Sequence, residues 1–497
     1  MLRFSRISTE AQRAGAGIFV EKPNRGEEIN QMRRAFATIT ILVAFVLAGS
    51  ISAAASTYSI EEAVALAQSH NPEIAIARKK IQGARGGMIE ARSGYLPSVV
   101  SIGLFREHQY QSDTQLRNED YNASVRIVQN LYTGGAVTSQ VAIARLNLER
   151  QNFELQAVSN RVTMDVRIAF NELLLNRAKV GVHEQSVVVL QEELKTQQER
   201  LRAGMVGQLN VGRAEVALAN ERTELIDAQT QLKNSYLRLG ELLGPGFGPN
   251  SPNSHFEVSG QLQYQPDRPD LNECLARADR ERPEIKADQI EIEIENRQAD
   301  LDKSELRPHV EVFSGYEIYN QTDPTIHPEV NYGYIVGLNA KWHIFDGFAT
   351  KGRLQATRAR RDAAVQALEA RRLSVASEVR SAFLDLEQAD HVLESETKNV
   401  ETASESLEIA KANLSAGLGT QLDILQATAD VTRTRTTRLS TIYLHNVALE
   451  RLARACATLP DALRFISKTS GAETRGKKGP GLTATDVAHP PNHLGQR

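Results

Sequence analysis

The stretch IEEAVALAQSHNPEI at residues 60–74 decides how this chain is organised, because it returns as LNECLARADRERPEI at residues 271–285, a shift of 211. Leu96-Pro97 returns as Arg307-Pro308 at the same shift. Beyond that point the shift is 213. Thr133-Gly134 pairs with Asp346-Gly347, Arg167 with Arg380, Phe170 with Phe383, Ala203-Gly204 with Ala416-Gly417, and Leu209-Asn210-Val211 with Leu422-Asp423-Ile424. Register kept over most of each half marks an internal duplication rather than shared helical composition. The two added residues fall between Pro97 and Gly134 and their counterparts, which places them in a loop there.

Within each copy the pattern changes period in the same order. Val125, Ile127, Gln129 and Leu131 alternate with Ser124, Arg126, Val128 and Asn130. In the second copy Tyr334, Val336, Leu338, Ala340 and Trp342 alternate with Ile335, Gly337, Asn339, Lys341 and His343. A period of two with one apolar face is the signature of a strand. Another strand precedes each of these, carried by Val100, Ile102 and Leu104 and by Val310, Val312, Ser314 and Tyr316, across polar loops at 107–120 and 319–331. Two hairpins, four strands in all, are expected.

The remainder reads as unusually long helix. Gly134 and Gly204 enclose 69 residues without proline, and Gly347 and Gly417 enclose another 69; at 1.5 Å per residue each run reaches about 100 Å. Leu173, Val180, Val187, Leu194 and Leu201 recur every seven residues, as do Leu386, Leu393, Val400, Leu407 and Leu414. That is the spacing of a coiled-coil seam. The chain turns at Gly204-Met205-Val206-Gly207 and at Gly417-Leu418-Gly419-Thr420, then returns as helix to residues 243 and 459. Helices are also expected over 59–94 and 270–305, so that two shorter helices end to end match one long one. The repeats thus occupy 56–243 and 270–459. Between them lies an irregular linker, 244–269, opened by the turn-rich run Gly244-Pro245-Gly246-Phe247-Gly248-Pro249. Residues 460–497, rich in Gly, Pro and Lys, read as a disordered tail.

Residues 1–55 read as a signal region. Met32-Arg33-Arg34, the apolar run Ala35–Ala48 and the small residues Ala53 and Ala55 make a complete secretion signal, with Met32 as the expected start and cleavage near Ala55. The 497 residues are 41% hydrophobic but only 5% aromatic, as long thin helices are. A balance of 58 basic against 61 acidic side chains argues against a general nucleic-acid binder. Cys274 and Cys456 are too few for a disulfide scaffold, and their assignment to different copies at non-equivalent positions argues against a bridge between them.

Four strands cannot close a barrel, since the smallest outer-membrane barrels have eight, and open sheet edges are not tolerated in lipid. An exported chain with four amphipathic strands therefore points to subunits sharing one barrel, continued below by a hollow cylinder of helices. On these residues alone the alternative is a periplasmic or surface coiled-coil protein without a pore.

The ordered set of features resembles TolC-type outer-membrane efflux proteins, in the type I secretion and multidrug-efflux branch, over residues 58–459. It is carried by the paired openings at 60–74 and 271–285, Leu96-Pro97 and Arg307-Pro308, the strand exits Tyr132-Thr133-Gly134-Gly135 and Phe345-Asp346-Gly347, and the runs 203–214 and 416–427. The resemblance implies a mainly helical fold with strands: a homotrimer with a twelve-stranded barrel on an α-helical periplasmic tunnel. It implies an outer-membrane exit duct for proteins or small toxic compounds, with a periplasmic adaptor (membrane fusion) protein and an inner-membrane ABC or RND-type pump as partners. The tips Gly204, Met205, Val206, Gly207, Gly417, Leu418, Gly419 and Thr420 match those that adaptor hairpins contact. An aspartate lining the closed aperture corresponds to Asp423, and a second aspartate one turn on is here Gln426. The family's arginine–aspartate latch falls on Gly419 and Asn210, so closure here is expected to rest on packing and neutral hydrogen bonds.

No metalloprotease, CxxC, phosphate-loop or nucleophile-elbow pattern occurs, so no enzyme, cofactor or metal is expected. His183, His391 and His445 lack an i+4 histidine partner and read as surface or packing residues.

Overall fold

A computed structural model describes residues 57–109, 117–247, 256–320 and 330–458. The signal region, the tail at 460–497 and the outer parts of both hairpin loops lie outside the described residues. The first repeat contains β1 (Thr57–Tyr58), α1 (Ile60–His70), α2 (Pro72–Ser93), β2 (Ser98–Gln109), β3 (Arg117–Tyr132), α3 (Ala136–Arg202) and α4 (Gln208–Leu243). The second contains β4 (Glu257–Val258), α5 (Leu271–Glu281), α6 (Pro283–Ser304), β5 (His309–Asn320), β6 (Val330–Lys341), α7 (Ala349–Ser415) and α8 (Gln421–Ala455).

The single helices expected over 59–94 and 270–305 are each two helices. Asn71 and Arg282 leave the helical region at ψ 129° and 125°, because the proline that follows each disfavours α geometry and lacks an N–H. Asn71 then caps the second helix, its Oδ1 accepting the Glu73 N–H at 2.9 Å. The linker is also less irregular than expected. Its β4 pairs in parallel with β1, and Phe247 and Phe256 are buried beside Tyr58.

All pairings in the four-stranded sheet are antiparallel, in the order β2-β3-β5-β6. Val99 faces Ile127 in one hairpin as Val310 faces Ala340 in the other, so the two hairpins have one register. The connection from Asn320 to Val330 is two residues longer than that from Gln109 to Arg117, and the strands run further into the polar segments than their composition suggested. Backbone pairing, not side-chain hydrophobicity, carries them there.

Val125, Ile127, Tyr316, Ile318, Tyr334, Val336 and Leu338 lie exposed on one face, while the residues between them are more enclosed. The enclosed face carries Arg126, whose guanidinium is 3.0 Å from Glu317 and lies over the Phe313 ring. The register corrects one strand reading. Val100, Ile102 and Leu104 oppose Arg126, Ser124 and Asn122 on the enclosed face, and it is Val99 and Phe105 that join the open apolar face. β2 is apolar on both sides, so alternation alone could not choose between them.

Both long helices run 67 residues. Their seam is buried at Leu173, Val187, Leu386 and Leu393 and half-buried towards the tips. The two helical cores repeat position for position. Val166, Leu173 and Leu239 of the first, and Val379, Leu386 and Leu452 of the second, are at most 1% exposed.

The cysteines are joined. Cys274 opens α5, Cys456 ends α8, and both belong to the second repeat, so the assignment to different copies is corrected. Their counterparts Ala63 and Leu243 are each 1% exposed in the first repeat's core. The bridge therefore stands where the first repeat packs its first helix on its last.

Candidate functional site

The end of each long helix is built by one device. Gly204 lies at φ +71° and donates its N–H to Leu201 O at 2.9 Å, while Met205 donates to Arg200 O at 2.9 Å. Gly417 at φ +75° donates to Leu414 O at 3.2 Å, and Leu418 to Asn413 O at 2.9 Å. This paired bonding satisfies the last carbonyls of a helix and needs a left-handed residue, which glycine adopts without a Cβ clash. Met205 and Leu418 are 76% and 83% exposed, and Leu209 and Leu422 are exposed behind them. Each tip therefore presents apolar side chains to solvent.

The tips differ at the start of the returning helix. Gly207 caps α4 with no side chain. Thr420 caps α8 in a reciprocal box: the Asp423 N–H donates to Thr420 Oγ1, and Asp423 Oδ2 accepts both the Thr420 N–H and its hydroxyl at 2.8 Å. The Thr420 amide, then its hydroxyl, hold the Asp423 carboxyl below the usual carboxylate range. Asp423 is thus a helix-capping residue as well as an exposed charge, a role legible in the T-x-x-D spacing but not read from it.

Gln426 is exposed one turn on, and Asn210 is half-buried at the matching turn of α4. Among the described residues no hydrogen bond or ion pair joins Asn210 to Gly419 or Asp423. A Cβ at Gly419 would lie 3.1 Å from Asn413 Cβ and 3.2 Å from the Leu414 amide, so a larger residue there would crowd the turn. Gln421, beside these residues, is 5% exposed, with both amide atoms buried and unpaired. No spacing rule marks it.

Away from the tips, His183 Nδ1 lies 2.8 Å from Glu221, and fully buried His445 lies 3.1 Å from Asp390, which also accepts the Tyr264 hydroxyl at 3.2 Å. His391 is exposed. Tyr264 belongs to the linker, so this cluster ties the linker to α7 and α8. Among the described residues no three His, Cys, Asp or Glu side chains converge in metal-ligand geometry.

The outer membrane efflux protein family matches twice, at residues 63–245 and 274–458, once on each repeat. The chain belongs to the outer membrane efflux protein family. The chain is 26% identical over 376 residues to Protein CyaE of Bordetella pertussis, covering 74% of this chain and 77% of that one. It is 24% identical over 174 residues to the proteases secretion protein PrtF of Dickeya chrysanthemi, a match that spans 34% of this chain and only 37% of that relative. The Campylobacter jejuni CmeC outer membrane channel shares the fold at TM-score 0.69 and 14% identity, over 83% of this chain and 89% of that one. Members of this family are channels rather than enzymes.

Proposed function

We propose that three copies of the chain close a twelve-stranded barrel in the outer membrane, continued by a helical tunnel in the periplasm, and act as the passive exit duct of a tripartite efflux or type I secretion system. One observation carries the reading: among the described residues, a four-stranded sheet with an apolar open face ends in β2 and β6, neither of which has a further strand beside it. Such a sheet suits lipid only once neighbours complete the wall. Its enclosed face, with Arg126 and Glu317, then lines a wet lumen. The apolar tips dock the adaptor, and an inner-membrane ABC or RND-type pump supplies the energy. The cargo is a secreted protein or a small toxic compound; the proteases named for PrtF favour the former.

Asp423 sits at the periplasmic aperture in this reading, so three copies form an acidic ring with Gln426 one turn on and no charged latch at Asn210 and Gly419. The purified full chain should run as a heat-resistant trimer, partition to the outer membrane and conduct ions in planar bilayers. Asp423→Asn, which keeps an acceptor for the cap but removes the charge, should weaken block by divalent cations. A water-soluble monomer that passes no ions overturns the duct. An Asp423→Asn channel with unchanged divalent block removes the acidic ring and leaves the duct standing.

A further inference from the structure

The internal duplication shows what should cover the open corner below β6. In the first repeat, the corner where β3 passes into α3 is occupied by the chain itself. A Cβ at Gly134 would lie 2.7 Å from Arg307 Cβ and 2.8 Å from Ser304 O, and Arg307 Nη1 donates to Gly134 O at 2.9 Å. The second repeat has the same corner at Gly347-Phe348, the counterparts of Gly134-Gly135, and there a Cβ at Gly347 would meet nothing within 4 Å. Shifting Leu306-Arg307 back by 211 gives Tyr95-Leu96, which are 52% and 64% exposed.

Phe348 makes the case stronger. It stands at φ +69° where the first repeat has Gly135 at φ +93°, a strained setting for an aromatic residue. Its ring packs edge-to-face on Phe345, 5.3 Å between centroids, yet both rings stay largely exposed. A strained residue kept in place without burial points to a contact made elsewhere.

We propose that Gly347-Phe348 is the socket for Tyr95-Leu96 of a second copy of this chain, an apolar inter-subunit clasp that replaces the polar Arg307 contact made within the chain. The inference rests on the three-chain reading and names the residues by which neighbours engage. The same operation sets the strand register: Val125 opposes Tyr316 within the chain, so Leu338 of β6 opposes Phe105 of the neighbour's β2. It extends down the helices as well. Asn171 and Glu450 lie in the α3–α8 seam, bonded to Asn446 and Arg167, while their counterparts Leu384 and Leu237 are exposed. At these two positions polar residues meet within the chain, while the matching outward positions carry leucine, beside the exposed cations Arg380 and Lys233.

Cysteine cross-linking in the full chain tests this, since Cys274 and Cys456 are bonded to each other and do not compete. Leu96→Cys with Phe348→Cys, bridged by a short methanethiosulfonate, and Phe105→Cys with Leu338→Cys, oxidised directly, should each give covalent trimers on denaturing gels. The single variants and the out-of-register pair Phe105→Cys with Tyr334→Cys should give monomers. Phe348→Gly should lower the temperature at which native trimers come apart while leaving helix content unchanged. Trimers that form yet link at neither proposed pair, or that link equally out of register, overturn the clasp but not the duct. Failure of the unmodified chain to trimerise defeats both.

Discussion

Arg282 ends one helix and begins the next as a cation only 3% exposed. Its guanidinium lies 2.7 Å from Glu378 and 3.1 Å from Glu284, and Arg454 approaches the same two carboxylates at 3.1 and 3.5 Å. Burial works against ionisation of Glu284, and the Arg282 hydrogen bond and charge more than reverse it, so its carboxyl titrates below the usual 4.5. A carboxyl with a lowered folded pKa stabilises the fold above its unfolded value and loses that contribution as pH falls through the folded one. The melting temperature should therefore fall on acidification below about pH 4.5, and fall less in Glu284→Gln. Identical pH profiles would show that the cluster is not coupled to folding. Arg282→Met leaves both carboxylates to Arg454 alone and should cost up to about 3–5 kcal/mol in chemical denaturation. The Arg-Pro-Glu triplet was visible as a repeat of Asn71-Pro72-Glu73, but its burial was not, because Glu378 and Arg454 reach it from helices distant in sequence.

Elements whose pattern is local were legible: both hairpins, the two 67-residue helices and the glycine turns. The breaks at Asn71 and Arg282 were equally local, and a stricter reading of the two prolines would have found them. The face of β2 was not local, since Val99 and Val100, like Leu104 and Phe105, are adjacent apolar residues, and only pairing with β3 sorts them. The Cys274–Cys456 bridge closes a separation of 182 residues. A loop of that size restricts the unfolded chain by up to about 5 kcal/mol. Reductant should lower the denaturation midpoint of the native protein accordingly, with the Cys456→Ser variant already lowered and insensitive to reductant. A midpoint indifferent to reduction in the native chain would mean that packing alone, as at Ala63 and Leu243, holds the helix ends together.

For the whole molecule, the solvent around the sheet decides what a substitution does. Val336 and Ile335 are neighbours on β6, one on the open face and one on the enclosed face. If the open face meets lipid, Val336→Arg should cost about 2–4 kcal/mol near mid-membrane and sharply reduce assembled trimer in outer-membrane fractions. Ile335→Arg should assemble nearly normally and alter conductance instead. Equal loss in both variants would place neither face in lipid. Among the described residues no helix is long and apolar enough to cross a membrane.

By itself the sequence determined the duplication, the hairpins, the long helices and the family, because each is written in spacings between nearby residues and in a constant shift between halves. Tertiary structure alone decided which side of β2 joins the open face, that the two cysteines meet, and that one corner is filled while its twin stands open. Those depend on which distant segments come into contact, and a contact between distant segments leaves no periodicity in either one.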